Sequence, residues 1–323
     1  MALRTPRGLG RRRPSLSLVV IVHDMRDQAR RTLYSLTAGY QQGVSATDYE
    51  VIVVENSSER VLGEREVAGF GRNFRYFLRE ETRPTPVFAV NFGAAAARGR
   101  TIGIMIDGAR LLTPGAVRSI LMARRMDERA VVAIPGYHLG DQLQQDALAA
   151  GYDSRTEAAL LERIGWPRDG YRLFEVACFS GTSRPGFFRF PGESNCLCMS
   201  RTIWEAVGGC DERFDLPGGG QVNLDLYKRV VERDDTLLVT LIGEGCFHQF
   251  HGGVSTGTGS EARRALIDAQ VEQYRKLRGR KYKNPRVRSV TLGLVPDAAL
   301  KFVDQSVRRA LEEIGEIENQ AAP

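Results

Sequence analysis

The chain lacks any apolar run of the roughly 20 residues that a bilayer-spanning helix needs. It also lacks a glycine-rich GxGxxG or Walker loop after its first apolar segment, which excludes the usual dinucleotide and P-loop phosphate sites. Its five cysteines form no CxxC pair, and no hydrophobic stretch of a secretory signal follows the basic first residues. We therefore expect reduced, buried thiols and a cytoplasmic protein.

What the chain does contain is an ordinary globular composition. Of its 323 residues 42% are hydrophobic and 26% are charged, which is enough to bury a substantial core. The formal net charge of +6 is concentrated in two places, residues 1–14 and the segment from Arg278 to Arg288. Such clusters are solvated surface, or they contact anionic lipid. Neither has the interleaved aromatic residues of a single-strand binder, so we expect no nucleic-acid partner.

Short β-branched runs alternate with amphipathic segments, a succession that predicts βαβ units and a mainly parallel sheet. The predicted strands are Ser17–Val22, Tyr49–Val54, Phe74–Leu78, Ile102–Ile106, Ala130–Pro135 and Thr236–Ile242. The predicted helices are Met25–Tyr40, Thr85–Arg98, one that opens at Thr113–Pro114, Glu261–Arg278 and Pro296–Ile317. An apolar run without alternation, as in the strand from Ile102 to Ile106, indicates burial on both faces of the sheet.

Carboxylates follow two of the predicted strands. Asp107 ends the run that begins at Ile102, and Glu55 opens the loop after the second strand. In an open α/β sheet, ligands bind outside the carboxyl ends of the strands. Asp107 is then a substrate contact, a metal contact or a turn residue before Gly108, and Glu55 is placed to accept hydrogen bonds from a ribose or a base edge. The two strand ends therefore favour a protein that binds a nucleotide through these carboxylates.

Four motifs in order resemble those of family 2 glycosyltransferases with the GT-A fold. They read SLVVIVHDMRDQARRTLYSL, YEVIVVENSS, NFGAAAARGRTIGIMIDGARLLTPG and CLCMSRTIWEAVGGCDERF with LDLYKR, and they cover residues 15–253. The resemblance implies a Rossmann-like, mainly parallel sheet flanked by helices and inverting transfer of a sugar from a nucleotide diphosphate, with UDP- or dTDP-sugars favoured. Glu55 would then contact the uridine or thymidine moiety. Asn91 and Arg98 would lie on the donor side, and Asp107 would be the first acid of the D-x-D motif.

The chain departs from that pattern at two positions. Ala109 stands where the second acid of the D-x-D motif would bind a divalent cation. Val222–Asn223 stand where the family has the acid pair that is commonly linked to the catalytic base. Either other residues supply the metal site and the base, or the protein works without them.

The segment FHQFHGG offers a replacement for the missing metal ligand. It carries His248 and His251, and its position is similar to that of a metal-binding histidine in some GT-A enzymes. Imidazole suits Mn²⁺, Zn²⁺ or Fe²⁺, so Asp107 with one or both histidines is a candidate site for a divalent metal, Mn²⁺ or Mg²⁺. Alternatively, the histidines only hydrogen-bond phosphate or backbone, and Arg110 either pairs with the diphosphate or is solvated. His138 borders the acceptor site or is a loop residue.

Inverting transfer requires a base that takes the proton of the acceptor hydroxyl. The acids available on the acceptor side are Asp211 and Glu212 in GGCDERF and Asp225 in NLDLYKR. Asp211 is favoured, Asp225 comes next, and Glu212 or no acid is the remaining alternative. Alternatively, Asp211 and Glu212 only cap the turn or helix that follows the two glycines.

We divide the chain into a basic flexible tail at 1–14, a glycosyltransferase domain at 15–256 and a helical C-terminal extension at 257–323. The extension packs on the catalytic domain, forms a homodimer contact or lies on a membrane. By analogy, the acceptor is a saccharide, a lipid-linked or another hydroxyl group in polysaccharide or glycoconjugate synthesis, in the cytoplasm or at the inner face of the membrane. The alternative is a catalytically silent sugar-nucleotide-binding or scaffold protein. A nucleotidyltransferase would need a basic, glycine-rich loop that the chain lacks.

Overall fold

The computed structural model describes residues 13–251 and 260–321. Most of the predicted basic tail and the predicted boundary at 256–257 lie outside these residues. Within them the strands are β1 (Leu16–Val22), β2 (Tyr49–Asn56), β3 (Phe74–Arg79), β4 (Thr101–Met105), β5 (Arg110–Leu112), β6 (Ala130–Ala133), β7 (Gly136–Leu139), β8 (Ala177–Phe179), β9 (Leu197–Ser200), β10 (Leu237–Leu241), β11 (Cys246–His248) and β12 (Ser289–Leu292). The α-helices are α1 (Arg26–Ser35), α2 (Glu64–Ala68), α3 (Val87–Ala96), α4 (Ala116–Met126), α5 (Gln144–Ala147), α6 (Ser154–Arg163), α7 (Arg201–Val207), α8 (Val222–Val231), α9 (Ser260–Arg278) and α10 (Leu300–Ala321).

The main sheet has eight strands in the order β12-β10-β6-β9-β4-β1-β2-β3. Its neighbouring strands are parallel except where β9 runs antiparallel between β4 and β6. Every residue of β1 and β2 is buried because helices cover both faces. Leu18 and Val20 face α1 and α4, while Val19 and Ile21 face α3 and α8. This confirms the predicted α/β class, and each such buried aliphatic side chain contributes about 1.5–3 kcal/mol.

A second, four-stranded sheet in the order β5-β11-β7-β8 extends beyond the carboxyl edge of the main sheet. β11 runs antiparallel to β5 and parallel to β7, so that His248 is paired with Arg110 on one side and with His138 on the other. The aromatic rings around Tyr137 form its core, and Phe302 of α10 packs edge-on against that ring with centroids 4.8 Å apart. Sequence reasoning did not identify this sheet.

Several predicted helix boundaries are wrong. α10 runs from Leu300 to Ala321 and not from Pro296 to Ile317, and α3 is two residues shorter at each end than predicted. For two other helices the cause of the difference is visible. α1 ends at Ser35 instead of Tyr40, because the side chain of Gln41 donates to the backbone oxygens of Ser35 and Thr113 and holds the following turn. The helix that was predicted to open at Thr113–Pro114 begins at Ala116. The hydroxyl of Thr113 does not cap this helix, since it donates a short hydrogen bond to the buried carboxylate of Glu244.

The C-terminal extension packs on the α/β domain, which is one of the three predicted alternatives. At the end of α9, Arg278 forms ion pairs with Asp225 of α8 at 2.6 Å and with Asp211 at 2.9 Å. β12 adds a parallel edge strand beside β10, so that the extension also completes the main sheet. No helix in the described part of the chain has the length and apolarity that crossing a bilayer would require.

Candidate active site

The turn after β4 places Asp107 at the carboxyl edge of the main sheet. The chain leaves the sheet at Ile106 and starts β5 at Arg110, in a four-residue turn. The backbone N–H of Ala109 donates to Asp107 Oδ1 at 2.9 Å, which fixes the carboxylate. A Cβ at Gly108 would lie 2.7 Å from the backbone oxygen of Ile21, so only glycine lets the turn pass this close to β1.

Two histidines meet Asp107 at this edge. The pairing of β11 with β5 brings His248 Nε2 to 3.1 Å from Asp107 Oδ2, and His251 Nε2 lies 3.7 Å from the same oxygen. The two Nε2 atoms are 3.2 Å apart. One ligand atom from each of the three residues lies within 4.8 Å of the other two, an arrangement that can hold a metal ion.

Gln144 of α5 determines which nitrogen of His248 is free. Its side-chain oxygen lies 2.5 Å from His248 Nδ1, and its side-chain nitrogen donates to the backbone oxygen of His248 at 3.1 Å. Since an amide oxygen only accepts, Nδ1 carries the proton and Nε2 presents its lone pair to Asp107 and His251. Metal-binding histidines commonly donate their second N–H to such an acceptor. The backbone N–H of Gln144 also donates to His138 Nδ1 at 3.0 Å.

Charge distinguishes the members of the cluster. Burial would raise the pKa of Asp107, but the charges of His251 and Arg110 and a hydrogen bond from His251 hold it well below its usual range. Burial and the nearby Arg110 lower the pKa of His248 to about 4. Burial would also lower the pKa of His251, but the Asp107 carboxylate outweighs it and raises this pKa. The edge thus holds a permanent carboxylate beside a neutral imidazole.

Arg110 lies against Asp107 and not in open solvent. Its Nε donates to Asp107 Oδ2 at 3.1 Å, and only 11% of its side chain is exposed. Its backbone N–H donates to the hydroxyl of Thr32 on α1. The solvated alternative for this residue is therefore wrong, and the guanidinium is part of the cluster around the carboxylate.

Glu157 of α6 is a buried acid behind the cluster that the sequence did not single out. It accepts a hydrogen bond from the backbone N–H of Phe250 at 2.6 Å, and its Oε1 lies 3.5 Å from Arg31 of α1. Burial raises its pKa to about 7. Neither Glu157 nor Gln144 belongs to a motif, and each reaches the histidine segment from about a hundred residues away, so no local signal could have identified them.

Glu55 lies at the carboxyl end of β2, as predicted, but its carboxylate is buried and its oxygens are already bonded. They accept from the backbone N–H of Leu62 at 2.9 Å and from the hydroxyl of Tyr76 at 2.7 Å. Burial raises the pKa of this carboxyl group. In this structure the carboxylate holds the loop after β2, and a contact with a nucleotide base would require one of these bonds to open.

The other two predicted donor-side residues lie away from Asp107. Asn91 of α3 exchanges hydrogen bonds of 3.0 Å with the backbone of Cys210, and so joins α3 to the GGCDERF turn. Arg98 is exposed before β4, and its backbone N–H donates to Glu50 at 2.6 Å. It therefore lies at the amino edge of the sheet, whereas Asp107 lies at the carboxyl edge. The structure does not bring Arg98 to the cluster.

Arginine side chains form hydrogen bonds with two of the acids predicted as bases, Asp225 and Asp211. Asp225 is 1% exposed and accepts hydrogen bonds from Arg278 at 2.6 and 2.7 Å and from Arg229 at 2.7 Å. Asp211 accepts from Arg213 at 2.6 and 2.9 Å, and hydrogen bonds from the arginines lower its pKa. A base works best when its pKa lies near the working pH, so this environment opposes that role for Asp211.

Both acids lie at or beside a cavity of about 430 Å³ next to α3. Glu212 lines it too and accepts from the side chain of Asn91 at 3.1 Å. The arginines and the GGCDERF turn form much of the remaining wall, and Asp107, His248 and His251 are not among the described residues that line this cavity. The structure thus separates the predicted bases from the predicted metal ligands.

No protein-family model and no curated protein matches the chain. Among solved structures, residues 1–349 of S. aureus TarS in complex with UDP-GlcNAc match with a TM-score of 0.50 and 11% identity, over 81% of this chain and 66% of that one. The mannosyltransferase PcManGT from Pyrobaculum calidifontis, in complex with GDP-Man and Mn²⁺, matches with a TM-score of 0.49 and 15% identity, over 84% of this chain and 66% of that one.

A further structure of S. aureus TarS matches with a TM-score of 0.49 and 9% identity over 81% of this chain, which spans only 40% of that protein. At 11% identity and a TM-score of 0.50, the likeness to the UDP-GlcNAc complex establishes the fold alone. The chain has the mixed α/β architecture of these structures, a mainly parallel sheet flanked by helices, as the GT-A prediction requires.

Proposed function

We propose that this protein is a glycosyltransferase that uses a nucleotide-diphosphate sugar as donor and a divalent cation as cofactor. The observation that carries the proposal is the cluster of Asp107, His248 and His251 at the carboxyl edge of the sheet. This is the edge at which open α/β sheets bind their ligands. The fold shared with a structure that holds UDP-GlcNAc supports the same class of donor.

The residues of the cluster fit a divalent metal. The proton of His248 is turned towards Gln144, so that two imidazole nitrogens and one carboxylate oxygen face a common point. One carboxylate and two imidazoles form a donor set that suits Mn²⁺, Fe²⁺ or Zn²⁺ better than Ca²⁺. We propose that His248 of β11 and His251 in the segment after it take the place of the second acid of the D-x-D motif, whose position in this chain is Ala109.

The metal would supply charge neutralisation for the diphosphate as it leaves the sugar. The protein's own residues would do the rest. Asp107 is held ionised by its cationic neighbours, and the N–H of Ala109 fixes the orientation of its carboxylate. Arg110 adds a positive charge beside the carboxylate, where it can also attract phosphate oxygens. We propose transfer with inversion to a saccharide or lipid-linked hydroxyl, with UDP- and dTDP-sugars as favoured donors.

The test is thermal unfolding in the presence of UDP-, GDP- and dTDP-sugars, each with Mn²⁺, Mg²⁺ or EDTA. A donor that binds only the folded state raises the midpoint by mass action, and we expect a shift with one nucleotide that EDTA abolishes. Asp107→Asn should remove the shift, whereas Asp304→Asn on the exposed face of α10 should retain it. A shift that EDTA leaves unchanged would contradict the metal, and no shift with any donor would favour the catalytically silent alternative.

A further inference from the structure

Glu193 lies at the same edge of the sheet as Asp107, and no sequence motif points to it. It precedes β9, whose Leu197 is paired with Ile104 of β4 in the antiparallel register. Continuing that register brings the residues just before β9 level with those just after β4, and neighbouring strands are about 4.8 Å apart. The adjacent Ser194 fixes this approach, because its hydroxyl exchanges hydrogen bonds of 3.2 Å with the backbone of Ile134 at the end of β6.

Neutral groups alone hold the carboxylate of Glu193. Its Oε2 accepts from the side-chain nitrogen of Asn223 at 3.1 Å, and its Oε1 accepts from the hydroxyl of Thr182 at 3.3 Å. Asn223 lies at the start of α8, and its side chain is oriented by the backbone oxygen of Ser194 and the side chain of Asn195. No basic side chain in the described ranges forms an ion pair with Glu193, whose side chain is half-buried.

These contacts distinguish Glu193 from Asp225 and Asp211. Its place before β9 distinguishes it from Glu212, which lines a separate cavity. Asp225 is buried beneath two arginines, and Asp211 is bonded to two arginines beside a separate cavity. A carboxylate bonded to guanidinium groups is a poor proton acceptor, because protonation would leave their charge unpaired. A carboxylate that accepts only from an amide and a hydroxyl keeps lone pairs free for a further proton.

We propose that Glu193 is the catalytic base of the transfer reaction, an inference that rests on the function proposed above. The acceptor hydroxyl gives its proton to a Glu193 oxygen while its own oxygen forms a bond to the anomeric carbon of the donor sugar. The bond from that carbon to the diphosphate breaks, and its electron pair leaves with the nucleoside diphosphate. Glu193 then returns the proton to solvent. Asn223 and Thr182 position the carboxylate for this step.

The experiment compares the wild-type protein with Glu193→Gln, using UDP-GlcNAc and GDP-mannose with Mn²⁺ and water as acceptor. Donor affinity is measured by calorimetry, and release of UDP or GDP gives the rate. We expect Glu193→Gln to bind the donor within about twofold of wild type and to release nucleotide at least about 100-fold more slowly, in line with the usual effect of a general base. Glu205→Gln, at an exposed position of α7, is the matched control and should change neither value.

The pH profile separates a base from a structural residue. Over the pH range in which saturating Mn²⁺ and donor stay bound, the wild-type rate should fall towards acid pH as a carboxylate is protonated. This fall should be absent from the residual rate of Glu193→Gln, whereas Glu193→Asp should keep it at a lower rate. A wild-type rate in Glu193→Gln would overturn the inference, and so would a variant that has lost donor affinity and rate together. If the wild-type protein neither binds nor cleaves any donor, the proposed function itself fails, and the inference fails with it.

Discussion

Replacing Gln144 by leucine removes the side chain that fixes the ring of His248. Gln144 is fully buried and accepts the Nδ1 proton at 2.5 Å, and it donates to the backbone oxygen of the same histidine at 3.1 Å. Leucine of similar size leaves both partners buried and unpaired. Each such loss costs about 1–3 kcal/mol, so we expect the free energy of unfolding to fall by about 2–6 kcal/mol.

The same substitution should weaken metal binding. Without an acceptor on Nδ1, the ring of His248 can turn or move its proton to Nε2, which then no longer offers a lone pair beside Asp107. Loss of such an orienting partner usually lowers metal affinity about 10- to 100-fold. Calorimetric titration with Mn²⁺ measures this affinity, and urea unfolding measures the stability.

Gln145→Leu is the matched control for both measurements. Gln145 is the next residue of α5, is half-buried and makes no side-chain hydrogen bond to the described part of the chain. We expect it to keep the Mn²⁺ affinity of the wild type. If Gln144→Leu also bound Mn²⁺ with unchanged affinity, either His248 would not be a ligand or Gln144 would not orient it, and the reasoning about the cluster would be refuted.

Three further substitutions test other parts of the structure. Ala109→Asp should not restore a D-x-D site but should destabilise the fold by about 3 kcal/mol in urea unfolding, because position 109 is fully buried and the new charge would be desolvated. Arg278→Ala should cost about 3–5 kcal/mol in the same assay, since it removes a partner of the buried Asp225, and Asp225→Asn in that background should recover part of the loss. Burial raises the pKa of Glu244, so its contribution to stability is full below the unfolded-state pKa and is lost as the pH rises through the folded-state pKa. Glu244→Gln should remove this loss, so that its free energy of unfolding falls less between pH 4 and pH 8 than that of the wild type in urea unfolding.

The strands of the main sheet and the ends that carry function could be predicted from the sequence. Continuous β-branched runs such as Leu16–Val22 can be buried only inside a sheet covered on both faces, and polar residues that follow them fall at its carboxyl edge. The histidines were associated with Asp107 only through the family resemblance, and the structure brings them together.

The rest depends on contacts that have no local signature. The strands of the second sheet have three or four residues each, too few for a hydrophobic period to be recognised. Asp225 was a candidate base because the sequence around it does not show that its carboxylate is bonded to Arg278, which lies 53 residues further along the chain. No local pattern marks Glu193. It lies near the carboxyl end of β4 because β9 runs antiparallel to β4, and this direction is a property of the sheet as a whole.

Release of nucleoside diphosphate from a sugar donor, with Mn²⁺ or with EDTA, tests the central claim most directly. We expect the wild-type protein to cleave one of the UDP-, GDP- or dTDP-sugars in the presence of Mn²⁺. EDTA or Asp107→Ala should lower that rate at least about 100-fold, the size of effect expected when charge stabilisation of the leaving diphosphate is removed. If Asp107→Ala bound and cleaved the donor as the wild type does, the active site would not lie at this edge of the sheet.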